Sequence, residues 1–430
     1  MPTALIILLC LLSLCPIIIT ADGPLLLPFI PLLLSAGLII VSKKLPPGEM
    51  QHLNSVFSRP LIIGAAIPAG WMIVQMLPLP FLANPIWTSV SPGLPRGVTG
   101  SISVDIGATA LALVHYLSAA GMLLFAAAVT VNRERAETIL ISATAAAALV
   151  SVACLVQDLF VEGYFGINIL AHREQAFDIA CLGVILSAAC GLFVFERHET
   201  RGAGTRGARR KFLLALAACL VSFVLCAGAI AVTRAGSLIF AAGSGFLTFI
   251  AVAAIRRWAL GRLGAAAISV TAAVIAIALV TVAASDPDPR FAFVKKSRAS
   301  IELTQRILSD APFFGVGAGS FMSLKPIYQS GDPSARDAVV VTAAAQLSGE
   351  MGKVMLWFAV LAASMGVFVL LRGASRRGRD SFYAAAAGAC LVTLMILGFI
   401  NTAVTGSAIV LLSGAVLGLG LTQSKSRVVS

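Results

Sequence analysis

The chain has 430 residues, 59% of them hydrophobic and only 12% charged, with a formal net charge of +12. Soluble domains carry about a quarter charged residues, so the composition excludes an ordinary soluble protein and describes a membrane one. The basic excess does not mark a nucleic-acid partner, because Lys and Arg cluster in short segments between apolar runs, as topology determinants do.

Twelve apolar runs are long enough to cross roughly 30 Å of hydrocarbon. They predict spans at 4–20, 25–41, 61–79, 107–130, 138–157, 176–195, 212–232, 235–255, 263–284, 353–371, 381–400 and 404–421. The first run lacks a basic leader and a second follows almost at once, which reads as a membrane helix rather than a cleaved signal. Twelve spans put both termini on one side. Segments on that side hold Lys43, Lys44, Arg133, Arg135, Arg197, Arg256, Arg257 and Arg372 among others, while the short opposite loops hold only Arg96, Arg173 and Arg234. This bias predicts cytoplasmic termini in a multi-pass protein of the bacterial inner membrane. The expected organisation is nine spans over 1–284, a loop subdomain over 285–352, and three spans with a short cytoplasmic tail over 353–430. All eight cysteines fall inside apolar runs without metal spacing, and they read as small hydrophobes.

Two outer loops exceed what a connection needs. Residues 80–106 are rich in Pro and Gly and carry Trp87, which suits a segment at the headgroup level. Residues 285–352 form the one large loop. Its Arg298, Arg306, Lys325 and neighbouring cations break the charge pattern without upsetting the topology, since long loops translocate regardless of charge. Within it, 295–310 reads as an amphipathic helix, with Lys295, Arg298, Glu302 and Arg306 on one face and Ile301, Thr304, Ile307 and Leu308 on another. Such a helix would lie along the membrane. Asp310 and Pro312 end it, and Gly315, Gly317 and Gly319 follow. Closely spaced glycines allow tight backbone approach to a helix or to an anion, or they simply form a flexible turn.

Arg234 stands at the outer junction of two apolar helices. It either snorkels to the interface or faces an outward cavity, where a planar guanidinium suits a phosphate. His172, with Arg173, Glu174 and Asp178, opens another span; it is a proton carrier or a merely solvated loop histidine. Asp105, His115 and Asn401 are the other polar groups near or within spans. They make no chain of intramembrane carboxylates of the sort an ion-coupled carrier uses.

Together these segments resemble the O-antigen ligase and polymerase-type family of bacterial envelope glycosyltransferases. The residues that carry the likeness are SRASIELTQRILSDAPFFGVGAGSF (297–321), TRAGSLIFAAG (233–243) and AQLSGEMGKVMLWF (345–358), the last with Glu350 and Gly352 at the family's matched positions. The resemblance implies an all-α, GT-C-like polytopic fold with about 12 transmembrane helices and one large periplasmic loop carrying amphipathic helices. It implies transfer or polymerisation of a glycan from an undecaprenyl-diphosphate carrier to a glycan or lipid acceptor at the periplasmic face. No cofactor, metal or nucleotide sugar is needed, because the lipid diphosphate is the leaving group. By the same likeness Arg234 and Arg298, and after them Arg306, would hold the diphosphate. The chain departs from the family at one place: Val341 and Thr342 fall where the family has a histidine and an asparagine. Neither can accept a proton near neutral pH. The proton then goes to His172, to Glu350 or to a phosphate, or else the chain is a non-catalytic relative in polysaccharide assembly or export. A transporter or flippase is a further alternative.

Overall fold

The structure, a computed structural model, describes residues 1–21, 28–90, 100–161, 170–201, 206–257, 298–328, 341–376 and 380–425. Among the described residues every regular element is helical, and ten helices are long and apolar enough to cross a membrane. The protein is therefore a multi-pass α-helical membrane protein.

The first part of the chain forms α1 (Pro2–Thr20), α2 (Phe29–Lys44), α3 (Pro47–Val56), α4 (Arg59–Met76), α5 (Ile86–Val90), α6 (Ile106–Val129), α7 (Arg133–Val156), α8 (Arg173–Arg201), α9 (Arg206–Val232) and α10 (Gly236–Arg257). Three short helices follow, α11 (Arg298–Asp310), α12 (Phe321–Tyr328) and α13 (Ala343–Met351). The chain then ends in α14 (Lys353–Arg376), α15 (Ser381–Gly398) and α16 (Ser407–Ser424). Ten of the twelve expected spans coincide with the ten long helices. The expected span 25–41 is the 16-residue α2, displaced towards Lys43 and Lys44. At about 1.5 Å per residue it reaches roughly 24 Å, and it carries the chain from the side where Ile19 lies to the side where Glu49 and His52 lie. The expected span 263–284, the start of the large loop and part of the 200–211 linker lie outside the described residues.

Successive long helices alternate in direction, so the bundle has two ends. At one end His52 Nε2 meets the carbonyl of Thr422 at 3.1 Å, Gln423 donates to the Thr130 carbonyl at 2.7 Å, and Arg135 pairs with Glu49. This is the basic face. At the other, the His172 N–H donates to the Ile19 carbonyl at 3.2 Å and the Ala343 N–H to that of Asn401 at 2.9 Å. This is the loop face, and it holds α11, α12 and α13. Arg257, at the end of α10, pairs with Glu199 on the basic face, whereas α11 begins on the loop face.

Lipid is as apolar as leucine, so the spans associate through close fit rather than through the hydrophobic effect. On α1 the buried residues Leu8, Leu11, Leu12, Cys15 and Ile19 recur at helical spacing. Between α6 and α16 the approach is so close that a Cβ on Gly418 would run into the Leu123 carbonyl. Side chains such as Leu213, Leu220 and Val224 of α9 and Trp357, Leu361 and Phe368 of α14 remain exposed. Faces of that kind suit contact with acyl chains. Helix starts are fixed locally: Asp105 accepts the Ala108 N–H at 2.9 Å to cap α6, and Asn132 accepts the Glu134 N–H at 2.9 Å to cap α7.

Candidate functional site

The loop subdomain is built around the three predicted glycines. Gly315, Gly317 and Gly319 adopt φ of 78°, 106° and 75°, and Gly352 follows at 91°. These backbone conformations are open to glycine and strained for other residues. Space excludes side chains as well. A Cβ at Gly315 would strike the Glu350 carbonyl, one at Gly317 the Ser103 side chain, and one at Gly319 the Ala108 carbonyl. The turn is laced between two partners, with Val316 N–H to the Gly349 carbonyl at 3.0 Å, Gly317 N–H to the Glu350 carbonyl at 3.0 Å, and Val104 N–H to the Val316 carbonyl at 2.9 Å. It is no flexible linker.

Glu350 locks this arrangement. Its buried carboxylate accepts N–H groups from Gly319 at 2.8 Å and Phe321 at 3.3 Å, and the Gln346 amide at 3.0 Å. Burial pushes its carboxyl above the usual carboxylate range, against the pull of those three donors. With its oxygens so engaged, Glu350 positions the turn. Gln75, wholly buried near the end of α4, completes the seat. Its amide nitrogen donates to the carbonyls of Glu350 (3.0 Å) and Phe314 (3.3 Å), and its oxygen accepts the Ala318 N–H at 3.1 Å. Trp71, one turn earlier, donates to the Met351 carbonyl at 3.1 Å. Asp105 joins α6 to α12 by accepting the Ser323 hydroxyl at 2.9 Å; the Ala108 N–H and that hydroxyl hold its carboxyl below the ordinary range.

Helix α11 has the expected two faces. Ser300, Leu303, Thr304 and Ile307 are buried, while Arg298, Glu302 and Arg306 stand in an exposed stripe. The buried side is covered by Val316, Phe321 and Leu324, so protein covers the face that the sequence assigns to the membrane. The 80–106 segment also differs from expectation: Trp87 donates to the Ser103 carbonyl at 3.1 Å, and Ile86 packs on the same small core as α11. Beside the turn is a hollow of about 190 Å³ lined by Leu308, Pro312, Phe313, Ser348 and Lys353.

Arg234 is exposed in the α9–α10 turn and holds a left-handed φ of 49°, with its N–H donated to the Ala231 carbonyl at 3.1 Å. The other non-glycine residue with positive φ among those described is Asp380, on the basic face. A residue other than Gly, Asn or Asp held there stores about 1–3 kcal/mol, a strain that clusters at ligand sites. The thiol of Cys181 donates to the carbonyl of Leu238, one turn into α10, which sets Arg234 level with the first turns of α8. There His172 lines a cleft of about 440 Å³ between the start of α8 and the α15–α16 turn.

No protein-family model matches the chain, and no curated protein is significantly similar to it.

Of the sequence-predicted residues, the structure brings together Gly315, Gly317, Gly319 and Glu350. Arg298 and Arg306 share α11, while Arg234 and His172 come from the bundle beneath. Among the described residues no three His, Cys, Asp or Glu side chains converge as a metal ion would require. Sequence reasoning missed Gln75, Trp71 and Ser103. A signal was present: α4 reads RPLIIGAAIPAGWMIVQM, and Trp and Gln are its only hydrogen-bonding side chains after the first residue. Polar groups in an apolar span need internal partners.

Proposed function

We propose that this protein is a membrane glycosyltransferase of the O-antigen ligase or polymerase type. It moves a glycan from an undecaprenyl-diphosphate donor to a glycan or lipid acceptor at the loop face, which is the periplasmic face of a bacterial inner membrane. The observation that carries the reading is the interlock of the motif segments. The glycine turn and the Glu350 element lie about thirty residues apart in the chain, yet Gly319 N–H meets Glu350 Oε2 at 2.8 Å and Gly317 N–H meets the Glu350 carbonyl at 3.0 Å. This platform seats α11 with Arg298 and Arg306 outward.

In the reaction an acceptor hydroxyl attacks the anomeric carbon, and the bond from that carbon to the diphosphate oxygen breaks. The lipid diphosphate departs with the bonding electron pair. Its growing charge is met by Arg234, Arg298 and Arg306, since guanidinium groups do this without a metal. The hydroxyl proton passes to a base, for which His172 in its cleft is this chain's candidate.

A second reading, a non-catalytic relative in polysaccharide assembly, is favoured by one observation. Val341 is fully buried and Thr342 caps α13 by accepting the Ala345 N–H at 3.1 Å, so both are structural where the family has its histidine and asparagine. Deleting the gene and complementing with Arg298→Ala or Arg234→Ala separates these readings. Loss of surface glycan with accumulation of its lipid-linked precursor supports the transferase. Normal glycan from both variants removes it, and loss of transport with intact glycan points to a carrier.

A further inference from the structure

The glycine turn carries an apolar tip that the packing leaves bare. Phe313 is 64% exposed and Phe314 43%, although the turn beside them is tightly held. Their neighbours fix their height in the molecule. A Cβ on Gly352 would strike the Phe313 carbonyl, Gln75 donates to the Phe314 carbonyl at 3.3 Å, and the Trp71 and Phe314 rings lie 5.8 Å apart. The tip therefore sits level with the start of α14 and the last turns of α4, both of them spans. On α14 the exposed residues Val354, Trp357, Leu361, Met365 and Phe368 recur every three or four positions, so one face looks at lipid. Lys353 and Arg372 of this helix are about 28 Å apart along its axis, close to the thickness of the hydrocarbon. Lys353 thus marks the headgroup level on the loop face, and Phe313 shares that level.

Phe313 and Lys353 also wall the hollow of about 190 Å³, together with Leu308, Pro312 and Ser348. That volume is below the roughly 300–1,000 Å³ of sites that enclose a whole small molecule, so the hollow suits a headgroup. Its lining holds one cation, Lys353, and no carboxylate. The apolar side of α11 is not available to the bilayer, because Val316, Phe321 and Leu324 cover it.

We propose that this tip is where the loop subdomain docks on the membrane. Phe313 and Phe314 enter the leaflet on the loop face at the boundary of headgroups and acyl chains, where exposed aromatic rings settle. The hollow seats the phosphate of a phospholipid between the Lys353 ammonium and the Ser348 hydroxyl. A second copy of the chain fits less well, since the tip adjoins the lipid-facing side of α14 and its one charge complements an anionic headgroup. The occupant is an ordinary membrane phospholipid, so the docking does not depend on glycan transfer. With Gly352 on one side and lipid on the other, the turn holds α11 at a fixed height above the bilayer.

The test uses the full chain in vesicles of phosphatidylethanolamine and phosphatidylglycerol, with the photo-reactive analogue p-benzoylphenylalanine in place of Phe313. Irradiation and mass spectrometry should find a phospholipid adduct at position 313. The same replacement of Phe321, which is buried in protein, should give none. A cross-link from position 313 to a second copy, or no adduct there, overturns the docking. The headgroup seat is read by native mass spectrometry of the chain in nanodiscs of the same lipids. Lys353→Gln should lower retention of phosphatidylglycerol about fivefold, the effect of one lysine beside anionic lipid, whereas Lys353→Arg should keep it. Equal retention by wild type and Lys353→Gln overturns the phosphate seat. Lys353 is exposed at the first position of α14, so both variants should melt with the wild type.

Discussion

The two ends of the bundle hold most of their carboxylates differently. On the basic face carboxylates are matched to arginines: Glu137 pairs with Arg133 at 3.4 Å and Arg197 at 2.7 Å, Asp380 with Arg133 at 3.0 Å, Glu49 with Arg135 at 3.3 Å, and Glu196 with Arg256 at 2.9 Å. On the loop face Asp158 pairs with Arg173 at 2.5 Å, but Glu350, Asp105 and Asp178 are held by backbone N–H groups, amides and a hydroxyl, and Arg234, Arg298 and Arg306 are exposed. Neutral donors fix a carboxylate without consuming a cation. The contrast teaches that on the loop face three carboxylates are fixed by neutral donors, whereas on the basic face arginines fix them.

The sharpest way to break this comparison is to remove arginines from each end. Arg298→Ala or Arg234→Ala should lower glycan product about 100-fold or more, as loss of a donor to transition-state charge does. Arg133→Ala on the basic face should leave product within about threefold, since its partners are structural. Product assays in membranes from the three variants, normalised to protein level, check this; equal losses at both ends would erase the distinction. Next in size is the turn. Gly317→Ala forces a Cβ into Ser103 at a φ of 106° and should destabilise the loop subdomain by about 3 kcal/mol. Protease cleavage within 298–352, with the bundle still folded, would show it.

A third pair compares carboxylates directly. Glu350→Ala strands the Gly319 and Phe321 N–H groups and the Gln346 amide, which should cost about 2–3 kcal/mol. Glu137→Ala on the basic face releases Arg133 and Arg197, whose side chains are 53% and 40% exposed. Water replaces the lost contacts there, and the loss should stay below about 1 kcal/mol. Melting temperatures of the two variants in the same detergent measure the difference.

How much of this was legible in the sequence follows the same division. Spans could be read wherever apolar length alone decides, as for α6 to α10, because hydrocarbon thickness is one constraint acting on every crossing. α2 lies a few residues later than expected, because Lys43 and Lys44 draw its end to the basic face. The stripe Arg298, Glu302, Arg306 was visible by helical spacing, but what covers the opposite side was not, since Val316, Phe321 and Leu324 belong to a turn and a helix folded back on α11. Glu350 was a candidate base because it matches the resembled family's element and because Val341 and Thr342 stand where that family has its histidine and asparagine. Only the fold shows three donors converging on it. Gln75 and Asn401 act across 200 residues or more, through partners that no local pattern names.

The smallest effect is a difference in sign. Asp105 and Glu350 accept similar donors, yet Asp105 sits near solvent and its carboxyl is held low, whereas burial pushes that of Glu350 up. A lowered folded value adds stability above the unfolded value and loses it as pH falls through the folded one; a raised value adds stability in acid and loses it as pH rises through the folded one. Between about pH 7 and about pH 3, spanning ordinary carboxylate titration, the advantage of wild type over Asp105→Asn in melting temperature should therefore shrink on acidification. Over the same range its advantage over Glu350→Gln should grow. Opposite slopes would confirm that solvation, rather than the number of donors, separates the two carboxylates; parallel slopes would mean that Glu350 is wetter than its surroundings imply, and its role as a buried clamp on the turn would have to be given up.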